Sequence, residues 1–152
     1  MHSEYAGMGT TIVICYMDGK NTYISHVGDS RAYLYKDTLK QITADDTFVN
    51  ELVKRGLINA EEASHHPKRN VLVQAIGIKE ALRISFYKIE EDYRAILLCS
   101  DGLYNSLSSQ QIEEILQKNA SVDQKTECLI QSANEFGGLD NIGVLLIEKG
   151  EA

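Results

Sequence analysis

The chain of 152 residues lacks the features that mark membrane, secreted and multidomain proteins. It contains one proline, no tryptophan and no low-complexity tract or internal repeat, so nothing in it indicates a domain boundary. It has no run of eighteen apolar residues, and its amino end lacks the charged and apolar segments of a signal peptide. We therefore expect one domain over residues 1–152, located in the cytoplasm and not in a membrane.

Cysteine is scarce as well. Cys15, Cys99 and Cys128 are an odd number of thiols and form no Cys-x-x-Cys pair. This usage is typical of reduced cytosolic thiols and argues against a disulfide framework or a zinc cluster. The adjacent His65 and His66 have no neighbouring residues that would complete a tetrahedral zinc site, and such a pair more often belongs to a solvated loop.

Positive charge is also in deficit. The formal net charge is −7 and the isoelectric point is about 5.1. This balance argues against a nucleic-acid backbone or an anionic membrane as the main partner. It is compatible with bound cations.

The apolar pattern predicts an α+β protein built on antiparallel sheets. The first part is β-branched or alternating, and Asp18-Gly19 is a typical hairpin turn, which together predict an antiparallel meander. After Thr43 the apolar period becomes helical, and Asn59 and Ser108 each begin a capping-box sequence. The predicted strands are 10–17, 22–27, 31–35, 39–43, 71–76, 82–89, 95–99 and a last one ending at Ile147. The predicted helices are 45–55, one from Asn59, one from Ser108, and 122–136.

The strand 95–99 is the most distinctive element. Its five residues are all apolar, which predicts a strand covered on both faces, and it stops at Ser100-Asp101-Gly102. Glycine allows a sharp exit there, so the carboxylate of Asp101 is held at the tip of a rigid core element. The alternative is that Asp101 only caps the following helix.

Three aspartates share this setting. Asp29, Asp101 and Asp140 each lie beside a predicted core strand, with a glycine within two residues. If these strands are neighbours, the carboxylates meet at one edge and repel each other unless a hard cation lies between them. Oxygen ligands alone point to Mg²⁺ or Mn²⁺. The alternatives are a hairpin turn for Asp29 and an Asx turn for Asp140.

Four ordered segments carry a family resemblance. They are Gly7–Thr11 (GMGTT), Val27–Tyr33 (VGDSRAY), Leu97–Leu103 (LLCSDGL) and Asp140–Ile142 (DNI). In order and spacing they resemble the metal-dependent serine/threonine phosphatases of the PPM/PP2C family, in particular the small bacterial ones. The resemblance extends from about Tyr5 to Ile147.

The resemblance implies an αββα sandwich that holds two Mn²⁺ or Mg²⁺ ions bridged by a water. This water attacks the phosphorus of a phosphoserine or phosphothreonine. The resemblance therefore implies no catalytic residue in this chain beyond the metal ligands. Asp101 and Asp140 match ligands of one ion of the pair. Asp29 matches the residue that, with the aspartate of Ser-Asp-Gly, holds a third and weaker ion. The implied partners are phosphoserine and phosphothreonine proteins and a serine/threonine kinase.

The segment 45–70 matches the flap beside the active site in this family, which tunes substrate access and adds no chemistry. Two features of the family are lacking. One is an arginine that grips the phosphate, and the other is an Asp-Gly-x-Gly-Gly motif whose aspartate bridges both metals. Neither Asp18-Gly19 nor Asp101-Gly102 is followed by the required glycines. Asp46 stands where the family often has histidine, and Gly143 where it usually has threonine.

We therefore expect the carboxy-terminal two-thirds of a PP2C-type domain, a sandwich incomplete at its amino end and without turnover by itself. The alternative is a pseudophosphatase, a regulatory module that binds a metal or a phosphoprotein without hydrolysing it. An incomplete sandwich leaves apolar sheet surface uncovered, so we also expect an oligomer or a strand-exchanged dimer.

Overall fold

Two antiparallel sheets form the centre of the molecule. The computed structural model describes residues 7–78, 81–138 and 140–150. The strands are β1 (Ile12–Met17), β2 (Thr22–Val27), β3 (Arg31–Tyr35), β4 (Leu39–Gln41), β5 (Ser85–Ile89), β6 (Ala95–Cys99) and β7 (Val144–Glu148). The helices are α1 (Phe48–Lys54), α2 (Ala60–His65), α3 (Asp101–Tyr104), α4 (Ser109–Leu116) and α5 (Val122–Glu135). No helix within these described ranges is long and apolar enough to cross a membrane.

The predicted meander is wrong, because β2 and β3 belong to different sheets. One sheet has the order β1-β2-β5 and the other the order β4-β3-β6-β7. Strand β3 is buried on both faces, whereas β1 is largely exposed. A strand buried on both faces needs cover on both sides. Its place next to β6, between the other sheet and the helices, provides that cover.

The layers are joined by two apolar clusters. Between the sheets lie Ile24, Leu34, Ile96 and Leu98 with their neighbours. On the opposite face of the four-stranded sheet, alternate residues such as Leu97 pack against α3, α4 and α5. Strand β6 is buried along its whole length, which confirms the prediction of a fully covered strand.

The outward face of the three-stranded sheet remains exposed. It presents Ile14 and Tyr16 from β1, Tyr23 from β2 and Phe86 from β5, and Phe86 is 75% exposed. The register places Ile14, Ser25 and Phe86 side by side, so these side chains share one surface. The architecture is thus a two-sheet sandwich whose helical layer covers the four-stranded sheet.

Residues 71–76 do not form the predicted strand. Leu72 makes a single bridge to Thr47, and Ile76 makes a single bridge to Thr10. The segment is therefore divided between two partners, and neither pairing extends into a ladder. The short helix α3 is not among the predicted helices and was considered only in the alternative reading of Asp101 as a cap, because its four residues directly after β6 leave no periodic signal. The capping boxes at Asn59 and Ser108 are confirmed.

Candidate metal centre

The sheet topology brings the three predicted aspartates to one end of the strands of the four-stranded sheet, which is called the aspartate edge below. Strand β6 is antiparallel to both β3 and β7, with Cys99 opposite Arg31 on one side and Val144 on the other. The end of β6 therefore lies beside the beginnings of β3 and β7. Asp101 follows β6, and Asp29 and Asp140 precede β3 and β7.

The loop that carries Asp140 is fastened to the turn after β6. The Ser100 hydroxyl donates to the carbonyl oxygen of Asn141 at 3.2 Å and accepts from the N–H of Gly143 at 2.8 Å. The Ser100 N–H donates to the Gly143 carbonyl at 2.9 Å. A Cβ at Gly102 would lie 2.4 Å from the Asn141 carbonyl oxygen, so glycine is what permits this close approach.

The structure does not bear out the alternative readings of Asp29 and Asp101. Strands β2 and β3 belong to different sheets, so Asp29 is not in a hairpin turn. Ser100 is the N-cap of α3, and Asp101 is the first residue inside the helix, so Asp101 is not its cap. Asp140 accepts a hydrogen bond from the N–H of Asn141 at 2.7 Å, a contact within its own loop. Asp29 lies in the turn between β2 and β3, where its carbonyl accepts from the hydroxyl of Tyr104 at 3.0 Å.

Asp29 and Asp101 influence each other electrostatically. Burial first, and then the negative charges of Asp101 and Asp45, raise the pKa of Asp29 to about 6, against the opposing effect of Arg31. The two carboxylates are thus close enough to repel. A divalent cation would relieve this repulsion, so the residues fit such an ion in charge and in donor type. Residues 7–78, 81–138 and 140–150 contain no group of three or more His, Cys, Asp or Glu arranged around one point.

Arg31 is a charged residue of this edge to which the sequence reasoning assigned no role. Its Nε and Nη2 donate to the carboxylate of Asp45 at 3.0 and 2.7 Å, and its Nη1 donates to the hydroxyl of Tyr33 at 3.0 Å. The guanidinium carbon lies 3.5 Å from the centre of the Tyr104 ring. The guanidinium of Arg31 is therefore bound by hydrogen bonds in its plane and by the Tyr104 ring on one face. Its place two residues after Asp29 in the Val27–Tyr33 motif was the available signal.

Tyr104 was also missed. Burial raises the pKa of its hydroxyl, so this group stays protonated at neutral pH and donates its hydrogen bond to Asp29. Its position three residues after Asp101 on a helix of four residues carries no periodic signal in the sequence.

A polar cleft of about 560 Å³ opens beside this edge. Asp29, Arg31 and Tyr104 form one side of it, and residues of the segment 45–70 form the other. This second side presents mainly polar and small side chains, among them Asn50, Ser64, Arg69 and Asn70. The cleft thus connects the aspartate edge with the segment that contains α1 and α2.

Comparison with known proteins identifies relatives of this chain. The sequence profile described as "Protein phosphatase 2C" matches residues 1–135. The serine/threonine phosphatase stp of Listeria welshimeri is 40% identical over an alignment of 145 residues, with coverage of 94% of this chain and 58% of that protein. The protein phosphatase PhpP of Streptococcus pneumoniae is 41% identical over an alignment of 152 residues, with coverage of 97% of this chain and 61% of that protein.

Solved structures of phosphatases resemble this chain in fold. The serine/threonine phosphatase of S. agalactiae has a TM-score of 0.89 at 37% identity, with coverage of 97% of this chain and 62% of that one. Stp1 from Staphylococcus aureus has a TM-score of 0.90 at 35% identity, with coverage of 97% and 59%. The catalytic domain of the phosphatase PstP, solved with two manganese ions, has a TM-score of 0.79 at 37% identity, with coverage of 93% and 59%. The chain spans about three-fifths of the length of these relatives.

Proposed function

Because the chain belongs to the protein phosphatase 2C family, we propose that it serves the metal-dependent hydrolysis of phosphoserine and phosphothreonine in proteins. The observation that carries this proposal is the placement of Asp29, Asp101 and Asp140 at adjacent strand ends of one sheet, with Asp29 lining a polar cleft. Relatives with 40% and 41% identity are phosphatases by name.

We propose that Asp101 and Asp140 hold one divalent cation and that Asp29, together with Asp101, holds another. The all-oxygen donor set favours Mn²⁺ or Mg²⁺, and the manganese in the PstP structure supports this choice. When bound, such cations neutralise phosphate oxygens and lower the pKa of water. The chain itself supplies the positions of the carboxylates, through the Ser100 contacts on one side and the Tyr104 contact on the other.

The segment 45–70 is, in this proposal, a flap over the cleft. It contributes polar side chains and carries no carboxylate assigned to a metal. Arg31 is engaged by Asp45 at the base of this segment, so its charge orders the flap rather than gripping a phosphate. The flap thus governs access of the phosphoprotein, and the described chain corresponds to the carboxy-terminal two-thirds of a phosphatase domain.

We propose further that the chain alone has little or no turnover. Its described residues hold no preformed group of three or more metal-binding side chains, and the arginine at the edge is already paired. The same observations favour the second candidate, a pseudophosphatase that binds a metal or a phosphoprotein without hydrolysis.

Hydrolysis of p-nitrophenyl phosphate with Mn²⁺ distinguishes the two candidates. The chain is assayed alone and with a polypeptide corresponding to the part of the pneumococcal PhpP that has no counterpart in it. Activity that appears with this polypeptide and is abolished by Asp101→Asn supports the phosphatase. Retained Mn²⁺ binding without activity in either condition supports the pseudophosphatase and contradicts the enzyme.

The exposed face of the three-stranded sheet leads us to propose self-association. Strand β1 is a sheet edge of six residues with no charge and no proline, which is the kind of edge that pairs with another chain. The neighbouring side chains Ile14, Tyr16 and Phe86 add apolar area. Light scattering at high protein concentration should show a dimer or larger species that Ile14→Lys converts to monomer. A wild-type chain that remains monomeric contradicts the proposal.

The remaining partners and the location follow from the same proposal. The substrates are phosphoproteins produced by a serine/threonine kinase. Cys15, Cys99 and Cys128 are all free thiols, which supports a reducing compartment such as the cytoplasm. Fractionation of cells that produce the tagged chain would test this location, and recovery outside the cytoplasm would contradict it.

A further inference from the structure

Asp46 is a buried carboxylate that none of the proposed chemistry uses. It is only 1% exposed. Its Oδ2 accepts a hydrogen bond from the N–H of Gly28 at 2.9 Å and another from Nε2 of Gln74 at 2.7 Å. Both donors are uncharged. Burial of a carboxylate is unfavourable unless hydrogen bonds compensate for the lost water, so these two contacts define where Asp46 can lie.

The backbone of Asp46 strengthens the same connection. Its N–H donates to the carbonyl of Gly28 at 2.8 Å, so the two residues are joined in both directions. Its carbonyl accepts from the N–H of Val73 at 2.8 Å. Gln74 continues the chain of contacts, because its Nε2 also donates to the carbonyl of Arg83 at 2.8 Å. Asp46 therefore links the turn after β2, the start of the segment 45–70 and the segment before β5.

The turn that Asp46 grips is the one that presents Asp29. Gly28 has a φ of +108°, a region that favours glycine, and a Cβ there would lie 2.4 Å from Cγ2 of Thr11. The turn is thus confined on the side of Thr11 and held by Asp46 on its N–H and carbonyl. One residue later, the carbonyl of Asp29 is held by Tyr104. These contacts hold the backbone at Gly28 and at Asp29.

We propose that Asp46 is a positioning residue, which holds the Gly28–Asp29 turn through the hydrogen bonds it accepts from Gly28 and Gln74 and so places Asp29 for cation binding. This inference rests on the proposed function, because it is the proposed metal site that gives the direction of Asp29 a consequence. Asp46 acts through geometry and does not touch the cation or the substrate.

The pattern of hydrogen bonds offers a conservative variant. Both donors converge on one oxygen, so Asp46→Asn can place its amide oxygen there and keep both contacts while it removes the charge. Asp46→Ala removes both contacts. A matched control is Thr22→Val at the other end of β2, which removes the buried hydrogen bond between Thr22 and Tyr93 (2.8 Å) far from the aspartate edge.

The first measurement is the affinity of the whole chain for Mn²⁺, from the electron paramagnetic resonance signal of the free ion. We expect Asp46→Ala to weaken binding at least ten-fold, and Asp46→Asn and Thr22→Val to stay within two-fold of the wild type. An Asp46→Ala chain that binds within two-fold of the wild type overturns the proposal. An Asp46→Asn chain that binds as weakly as Asp46→Ala also overturns it, since the charge rather than the hydrogen bonds would then be responsible.

A second measurement is independent of the metal. Residual dipolar couplings of the N–H vectors of Gly28, Asp29 and Ser30 report the orientation of the turn in the metal-free chain. They should change in Asp46→Ala and remain at their wild-type values in Asp46→Asn and in Thr22→Val. Unchanged couplings in Asp46→Ala overturn the positioning role. If the wild-type chain binds no Mn²⁺, the proposed metal site fails, and these couplings decide on Asp46 alone.

Discussion

Replacement of Asp29 by asparagine tests whether burial and the neighbouring carboxylates raise the pKa of Asp29 in the folded chain. In the metal-free chain, burial first and the charges of Asp101 and Asp45 next raise the pKa of Asp29 from 3.8 to about 6. A group whose pKa is raised on folding stabilises the fold below its unfolded pKa, and this contribution is lost as the pH rises through the folded pKa. The wild-type chain should therefore lose stability between about pH 4 and pH 6, whereas Asp29→Asn should not.

The size of the effect follows from the shift. A displacement of about two pKa units corresponds to roughly 3 kcal/mol. Asp29 is only half buried, so solvent screening reduces this to about 1–2 kcal/mol. In the presence of a chelator, the unfolding free energy of Asp29→Asn should thus exceed that of the wild type by at least about 1 kcal/mol at pH 7.5. At pH 4 the two free energies should be equal.

Urea unfolding at these two pH values measures the difference, with Asp37→Asn as the control. Asp37 is an exposed carboxylate whose ion pair with Arg94 spans 3.7 Å, and its replacement should leave the pH dependence unchanged. Addition of Mn²⁺ should reverse the order, because only the wild type gains from cation binding at Asp29. A gap between Asp29→Asn and the wild type that stays constant with pH would refute the reasoning, since the pKa of Asp29 would then not be raised on folding.

Two further predictions concern packing and a partly buried ion pair. Gly102→Ala would place a Cβ 2.4 Å from a backbone oxygen of the loop before β7, so it should lower the unfolding free energy by about 1–3 kcal/mol and weaken Mn²⁺ binding. The control is Gly143→Ala, whose Cβ would meet only ordinary contacts from 3.6 Å. Equal losses of unfolding free energy for the two variants in urea titrations would contradict the prediction. Glu148→Ala leaves the buried Lys125 without its partner at 2.7 Å and should lower the unfolding free energy by about 2 kcal/mol or more. Glu91→Ala, which breaks an exposed ion pair with Lys40, should lower it by less than about 1 kcal/mol. Thermal unfolding that ranks the two variants the other way would argue against burial as the cause.

The elements of the fold were largely predictable, because most of them depend on local signals. The apolar run 95–99 is buried throughout, and the capping boxes at Asn59 and Ser108 start helices as expected. The division of strands between sheets was not predictable in the same way. Periodicity reports which face of a strand is buried and not which strand lies beside it, so the change of sheet between β2 and β3 was missed. The segment 71–76 failed for a related reason, since it has the composition of a strand but its two bridges go to different partners.

The candidate site divides along the same line. The setting of the three aspartates beside strand ends and glycines was only suggestive in the sequence, and the family resemblance assigned them to metals. The antiparallel order of β3, β6 and β7 places these strand ends side by side. The groups that orient them could not be identified from spacing. Tyr104 reaches Asp29 over a separation of 75 residues, and Ser100 reaches Gly143 over 43. Such contacts are made only once the sheets are assembled.

Asp46 shows where this limit lies. In the sequence it is a departure from a family pattern, an aspartate in place of a histidine, and it has no visible function. In the structure it is enclosed, and its donors Gly28 and Gln74 come from positions 18 residues before it and 28 residues after it. A carboxylate at this position is favourable only because those two donors converge on one of its oxygens. The residue therefore depends on the fold around it, and the direction of Asp29 depends on the residue, which links the chemistry of the edge to the packing of the flap segment.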